Sequence, residues 1–232
     1  MTSRRTAPIA RAIGAVLRAV FGVVLLVRRP RPIHAVGRVL RGRIEWLDGA
    51  APAGITWVDE PPAGPVPVIA RLSRSVGLPA ALPDIIGLAL RVDVAGSPAD
   101  IELASTGIGV PSRFALVPHR SAARATLGTL LPYRGAHGPV LLCARTISPR
   151  MLPAGGDALA DALIHGWRVR LYHATPLGKW HGFADVTLRL HEDPSDADLR
   201  FDAVRHPLPG ARTYDWVRAV RQPTYRMVQS RS

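Results

Sequence analysis

Arg31-Pro32-Ile33-His34-Ala35-Val36-Gly37 is the stretch that decides how this chain reads, together with Arg71-Leu72-Ser73 further along. It sits where the periodicity of the chain changes. Before Pro32 the apolar residues recur at helical spacing. Ile9, Ile13, Val16, Leu17, Val20, Phe21, Val24 and Leu25 line one face, while Arg11 and Arg18 share another. After Pro32 the apolar runs are short and separated by Gly, Pro and Asp, as in strands joined by turns. A histidine heading an apolar strand, with arginines on that strand and a second one, has the parts of a buried acid/base site. Its cations would hold an anionic cofactor.

Eight candidate strands follow, at 33–46, 66–73, 86–94, 100–106, 113–118, 138–145, 167–175 and 180–190. The last alternates cleanly in Phe183-Ala184-Asp185-Val186-Thr187-Leu188. With no long amphipathic helices between them, the strands predict an antiparallel β-barrel, because closure removes exposed edges. Segments 120–131 and 156–165 read as short helical connections, and 211–230 as one or two terminal helices broken at Pro223. The division expected is a basic amphipathic N-terminal helix at 1–31, a barrel domain at 32–210 and a helical tail at 211–232.

Composition supports one mainly β domain. The 232 residues are 47% apolar, enough for a substantial core, and 21 Gly and 22 Pro favour many short elements over long helices. The net charge of +13 draws anions in general, yet Lys179 is the only lysine among 30 basic residues. That skew reads as the codon bias of a GC-rich bacterial genome. There is no recognition motif for nucleic acid and no interleaving of aromatics with the arginines, so no specific nucleic-acid partner is expected. Cys143 stands alone in an apolar run, which excludes an intramolecular disulfide and suits a small buried hydrophobe in a reducing compartment.

The apolar run at 12–27 is shorter than the roughly 20 residues of a membrane span and is interrupted by Arg18. Arg28-Arg29-Pro30-Arg31 stands where a signal-peptide cleavage site would lie. The segment therefore reads as a helix that docks on its own domain or lies on an anionic membrane. The location expected is cytoplasmic, with peripheral contact to the inner membrane through this helix. The acidic run from Glu192 to Asp198 reads as a solvated turn. His173, His181 and His191 lack metal-ligand spacing, and no phosphate loop, nucleophile elbow or His-Glu-x-x-His occurs.

The ordered motifs resemble the haem catalase superfamily. Arg31-Pro-Ile-His34-Ala35-Val-Gly37 is similar to that family's Arg-x-x-His-Ala-x-Gly, and Arg71-Leu72-Ser73 to its Arg-Phe-Ser. Asp84-Ile-Ile-Gly87-Leu88-Ala89-Leu-Arg91-Val92 is similar to its Asp-x-x-Gly-Phe-Ala-x-Lys-Phe. The resemblance covers roughly residues 30–118 and implies a catalase-like barrel that binds haem. By position, it makes His34 the proton shuttle, Ser73 the hydroxyl that fixes the His34 tautomer, and Arg31 and Arg71 the partners of haem propionates. His34 and Ser73 equally fit a plain hydrogen-bonded polar pair.

Two departures stand out. The family's distal asparagine is replaced by Thr106 or Ser105, and a hydroxyl is shorter and differently aimed. The axial tyrosine of the family's Arg-x-x-x-Tyr is matched by Tyr225 in Arg221-Gln-Pro-Thr-Tyr225, which makes Tyr225 the iron ligand, although Pro223 intervenes. The function expected is a minimal haem-binding protein, acting on peroxide or organic hydroperoxides as a weak peroxidase or hydroperoxide-transforming enzyme. The alternative is a degenerate barrel without haem, serving as a binding or scaffolding module at the inner membrane surface.

Overall fold

The computed structural model describes residues 37–191 and 199–217. The expected helix at 1–31, with Arg31 and His34, lies outside these residues. So do the acidic run from Glu192 and the tail with Tyr225.

Eight strands close into an antiparallel barrel. They are β1 (Gly37–Trp46), β2 (Val66–Arg74), β3 (Ile86–Val94), β4 (Ser97–Thr106), β5 (Thr126–Gly128), β7 (Gly138–Ser148), β8 (Trp167–Ala174) and β9 (His181–Leu190). Each pairs with the next, β9 returns to β1, and the β7–β8 ladder completes the ring. Two short strands, β6 (Tyr133–Gly135) and β10 (Arg212–Thr213), extend it outward from β7. The helices are minor: α1 at Thr56–Asp59 and α2 at Gly156–Ile164.

The alternation in each strand explains the closure. Leu40, Ile44, Val68, Ala70, Leu72, Leu88, Leu90 and Ile101 all face one buried core with Trp167, Val186 and Leu188. A side chain buried this way contributes about 1.5–3 kcal/mol, so a register slip that turned these rows outward would unfold the domain. Gly42 marks the β1–β9 seam. A Cβ there would overlap the Thr187 carbonyl, so only glycine lets the two strands approach. The β3–β4 hairpin turns on Ala95 and Gly96, both at positive φ (52° and 81°), the geometry of a two-residue loop matched to strand twist.

The fifth barrel strand is not where the sequence pattern puts it. The expected strand at 113–118 contains a 3-10 turn at Ser112–Phe114 followed by an isolated bridge, Leu116 to Thr106. Pro118 has no N–H to extend that bridge. The expected helix at 120–131 stops after a 3-10 turn at Ala122–Arg124, where the Ser121 hydroxyl accepts from the Ala123 N–H. Thr126 and Gly128 then enter the barrel as β5. Gly128 is placed by packing: a Cβ on it would come 2.8 Å from the Thr106 hydroxyl oxygen. The start of the expected terminal helix is also changed, since Arg212–Thr213 form β10 and the chain turns helical at 215–217.

Candidate functional site

The registers place the described candidate residues on the outer wall of β1–β4. Gly37 pairs with Ser73, Ser73 with Gly87, Gly87 with Ala104, and Ala104 with Gly128. Their chain neighbours Leu72, Leu88, Leu103 and Leu127 point into the core, so this row points out. None of the five carries a side chain larger than a hydroxymethyl group. The result is a flat trough bordered by a second outward row of Val39, Arg71, Ala89 and Glu102.

Arg71 leans across this trough. A Cβ built on Gly37 would meet its guanidinium at 2.8–2.9 Å, so the cation lies directly over the start of β1. Burial of Arg71, and then the nearby Arg200 guanidinium, lower its pKa, though an arginine remains charged at neutral pH. Ser73 is 7% exposed, one row position from Arg71 on the same face. Thr106 is 3% exposed, and Ala104, one pleat before it, is two strands from Ser73, about 10 Å at ordinary strand spacing. Its Oγ1 lies 3.5 Å from the Thr126 carbonyl, so it is held by β5.

Ser105, the other candidate for the missing amide, faces the opposite way. Its hydroxyl donates to the Val117 carbonyl at 2.7 Å and accepts the Ile86 N–H at 3.0 Å. The structure thus brings Gly37, Arg71, Ser73 and Thr106 onto one wall and turns Ser105 inward.

The third motif has a structural use. Asp84 is 1% exposed and accepts backbone N–H bonds from Val76, Gly77 and Leu78 at 2.9–3.0 Å, which folds the β2–β3 loop. Arg91 forks onto Asp100 with two 2.7 Å contacts. Burial alone would raise the Asp100 pKa. The Arg91 fork, the Asp202 N–H at 2.7 Å and His206 Nδ1 at 3.1 Å outweigh it and hold the carboxyl below the usual range. Through these bonds the segment from 199 to 211 is strapped over the lower outer wall, and the Arg91 guanidinium lies 5.1 Å from the Phe201 ring. No motif in the sequence marks this network, yet the Arg91–Asp100 pair follows from counting outward from Ala95-Gly96. Arg200 beside Arg71 had no local signal.

Burial governs two further groups. Burial pushes the Cys143 thiol up to about 12, against the pull of Arg145 and Arg113, which is wrong for a nucleophile. Burial lowers the His173 pKa although its Nε2 lies 2.8 Å from the Ala51 carbonyl; the ring stacks on His181 at 5.5 Å. Among the described residues no cluster of His, Cys, Asp or Glu could hold a metal, and no helix is long and apolar enough to cross a membrane.

The closed eight-stranded antiparallel barrel is catalase-like in fold, as comparison with solved structures shows. A fungal catalase matches with a TM-score of 0.58 at 12% identity, covering 85% of this chain and 58% of its own. Catalase A from Saccharomyces cerevisiae matches with a TM-score of 0.61 at 13% identity, covering 86% of this chain and 60% of its own. The chain therefore spans about three-fifths of the catalases it resembles, and at this identity the likeness is one of fold. No protein-family profile matches it, and no curated protein matches it by sequence.

Proposed function

We propose that the chain is a minimal catalase-like haem-binding protein, acting on peroxide or organic hydroperoxides as a weak peroxidase or hydroperoxide-transforming enzyme. One observation carries the reading: the outward row Gly37–Ser73–Gly87–Ala104–Gly128 leaves a flat floor, and Arg71 lies across its edge. A planar dianionic macrocycle needs such a floor and such a cation. Haem, when bound, supplies the iron at which the O–O bond of a peroxide is split.

The chain's own residues do the rest. Arg71 and Arg31 pair with carboxylates at the rim. His34 takes a proton from one peroxide oxygen and returns it to the other, a shuttle suited to an imidazole that titrates near neutrality. Ser73, set beside Gly37 by the β1–β2 register, orients that imidazole by a hydrogen bond. Thr106 takes the place of an amide with a single hydroxyl braced against β5, which suits slow turnover. Of the four tyrosines, Tyr133, Tyr172 and Tyr214 lie on or beside β6, β8 and β10, away from the β1–β4 wall. Tyr225, in the Arg221-to-Tyr225 spacing that resembles the family's ligand motif, is the residue that would hold the iron. The test is the visible spectrum of protein expressed with ample haem. A stoichiometric Soret band that changes in Tyr225→Phe is expected, and its absence overturns the proposal.

A second reading, a haem-less binding or scaffolding barrel, is favoured by the strap at 199–211, which already covers the Asp100 side of the wall. On it the protein has no Soret band and floats with anionic liposomes through residues 1–30. Equal flotation after their removal would sink that reading.

A further inference from the structure

The end of the strap makes a second site, remote from the β1–β4 wall in the strand order. β10 pairs with β6 so that Arg212 stands directly opposite Arg134, and Thr213 opposite Tyr133. Residues directly opposite on an antiparallel pair have Cβ atoms only about 5 Å apart, where like charges repel. Both arginines are exposed, and among the described residues neither guanidinium has a hydrogen bond or an ion pair. Arginines also stand opposite each other at Arg145–Arg170 and at Arg41–Arg189, but there Arg170 is forked onto Asp185. Here the chain holds two cations together with nothing between them.

They border a cavity of about 320 Å³, the size of a small-ligand pocket. Thr213 and Tyr214 line it beside them, and Val204, Pro207 and Ala211 supply an apolar wall. Asp215 also borders the cavity but pairs with neither arginine. Tyr214 stacks on Trp216 at 6.1 Å, so its ring is fixed. Two guanidinium forks from facing strands match the charge and oxygen spacing of a phosphate dianion, whereas one carboxylate would leave a cation unneutralised. The apolar wall and the Tyr214 ring suit an organic body on that phosphate.

We propose that this cavity binds a small organic phosphate monoester, its phosphate clasped between Arg134 and Arg212 and its apolar part against Pro207 and Tyr214. The site does not depend on haem. It is tested by calorimetric titration of the full chain with phenyl phosphate at near-physiological salt, with inorganic phosphate in a parallel arm. One equivalent is expected to bind, with Arg212→Gln and Arg134→Gln weakening it by about tenfold or more. The exposed Arg189→Gln, distant on β9, is expected to leave it unchanged. Equal affinity in all four proteins would mean non-specific attraction to a basic chain and would overturn the proposal. Phenyl phosphate binding no tighter than inorganic phosphate would overturn the organic part. Arg212→Gln removes repulsion and keeps the backbone bonds of β10, so it is expected to melt no lower than wild type without ligand. Phenyl phosphate should raise the melting temperature of wild type and not of this variant; equal rises would again refute the clasp.

Discussion

The two halves of the barrel's outer wall are built on opposite plans. Over β8 and β9 the wall is laced with charge. Asp185 receives the Arg170 fork at 2.6 and 3.0 Å, and Arg168 lies 3.6 Å away. These long side chains lie flat on the sheet and satisfy one another in partial solvent. Over β1–β4 the wall is bare where it is buried: Ser73, Gly87 and Thr106 are covered although their side chains are small or absent. Its ion pair, Arg91–Asp100, is sealed under the strap, with Asp100 fully buried. Both halves close the same core with the same alternation, so the inward faces do not distinguish them. The outward residues do: long paired side chains cover β8 and β9, and short ones leave β1–β4 flat.

That contrast can be broken at several places. The seam between the halves is the most sensitive: Gly42→Ala forces β1 away from the Thr187 carbonyl and should cost more than about 3 kcal/mol, read by urea unfolding. Next comes the sealed pair. Asp100→Asn leaves the half-buried Arg91 without its carboxylate and should cost about 3 kcal/mol. In the other half, Asp185→Asn faces an Arg170 side chain 37% exposed and should cost only about 1 kcal/mol. A reversed order of these two would show that the strap does not seal its half.

The same carboxyl sets an acid limit. The folded Asp100 pKa is depressed, so its contribution is fully present above the unfolded carboxyl value near about 4 and is lost as pH falls through the folded value. Wild type should therefore lose more stability than Asp100→Asn between about pH 4 and pH 2 in acid titrations followed by circular dichroism. The smallest change in stability is expected at Arg71→Gln, within about 1 kcal/mol, because the cation lies across the wall and not in the core. Under the proposed function it should still lower haem occupancy by about tenfold, read from the Soret absorbance per protein.

Much of the barrel was legible because period-two alternation is a local property. The strands at β2, β3, β7 and β9 fall within a few residues of where the pattern sets them, and α2 spans nearly the expected residues. The β4–β7 connection departs from its local pattern for a physical reason. Ala122-Ala123-Arg124-Ala125 has helix-forming composition, and only the approach of Thr106 to Gly128 turns the next residues into a strand. Of the site, Arg71 and Ser73 were legible as residue types. Which hydroxyl, Ser105 or Thr106, faces out with them was not, since one step along a strand reverses the face.

By itself the sequence determined the β class, the order of most strands, the inward apolar rows and the motif residues that resemble catalases, because each is written in short-range spacing. Tertiary structure alone decided the closure through β5 and the seam at Gly42, the bare row from Gly37 to Gly128, and the strap that seals Asp100. It also decided the confrontation of Arg134 with Arg212. These join residues far apart in the chain, and register, which no local pattern records, sets which of them meet.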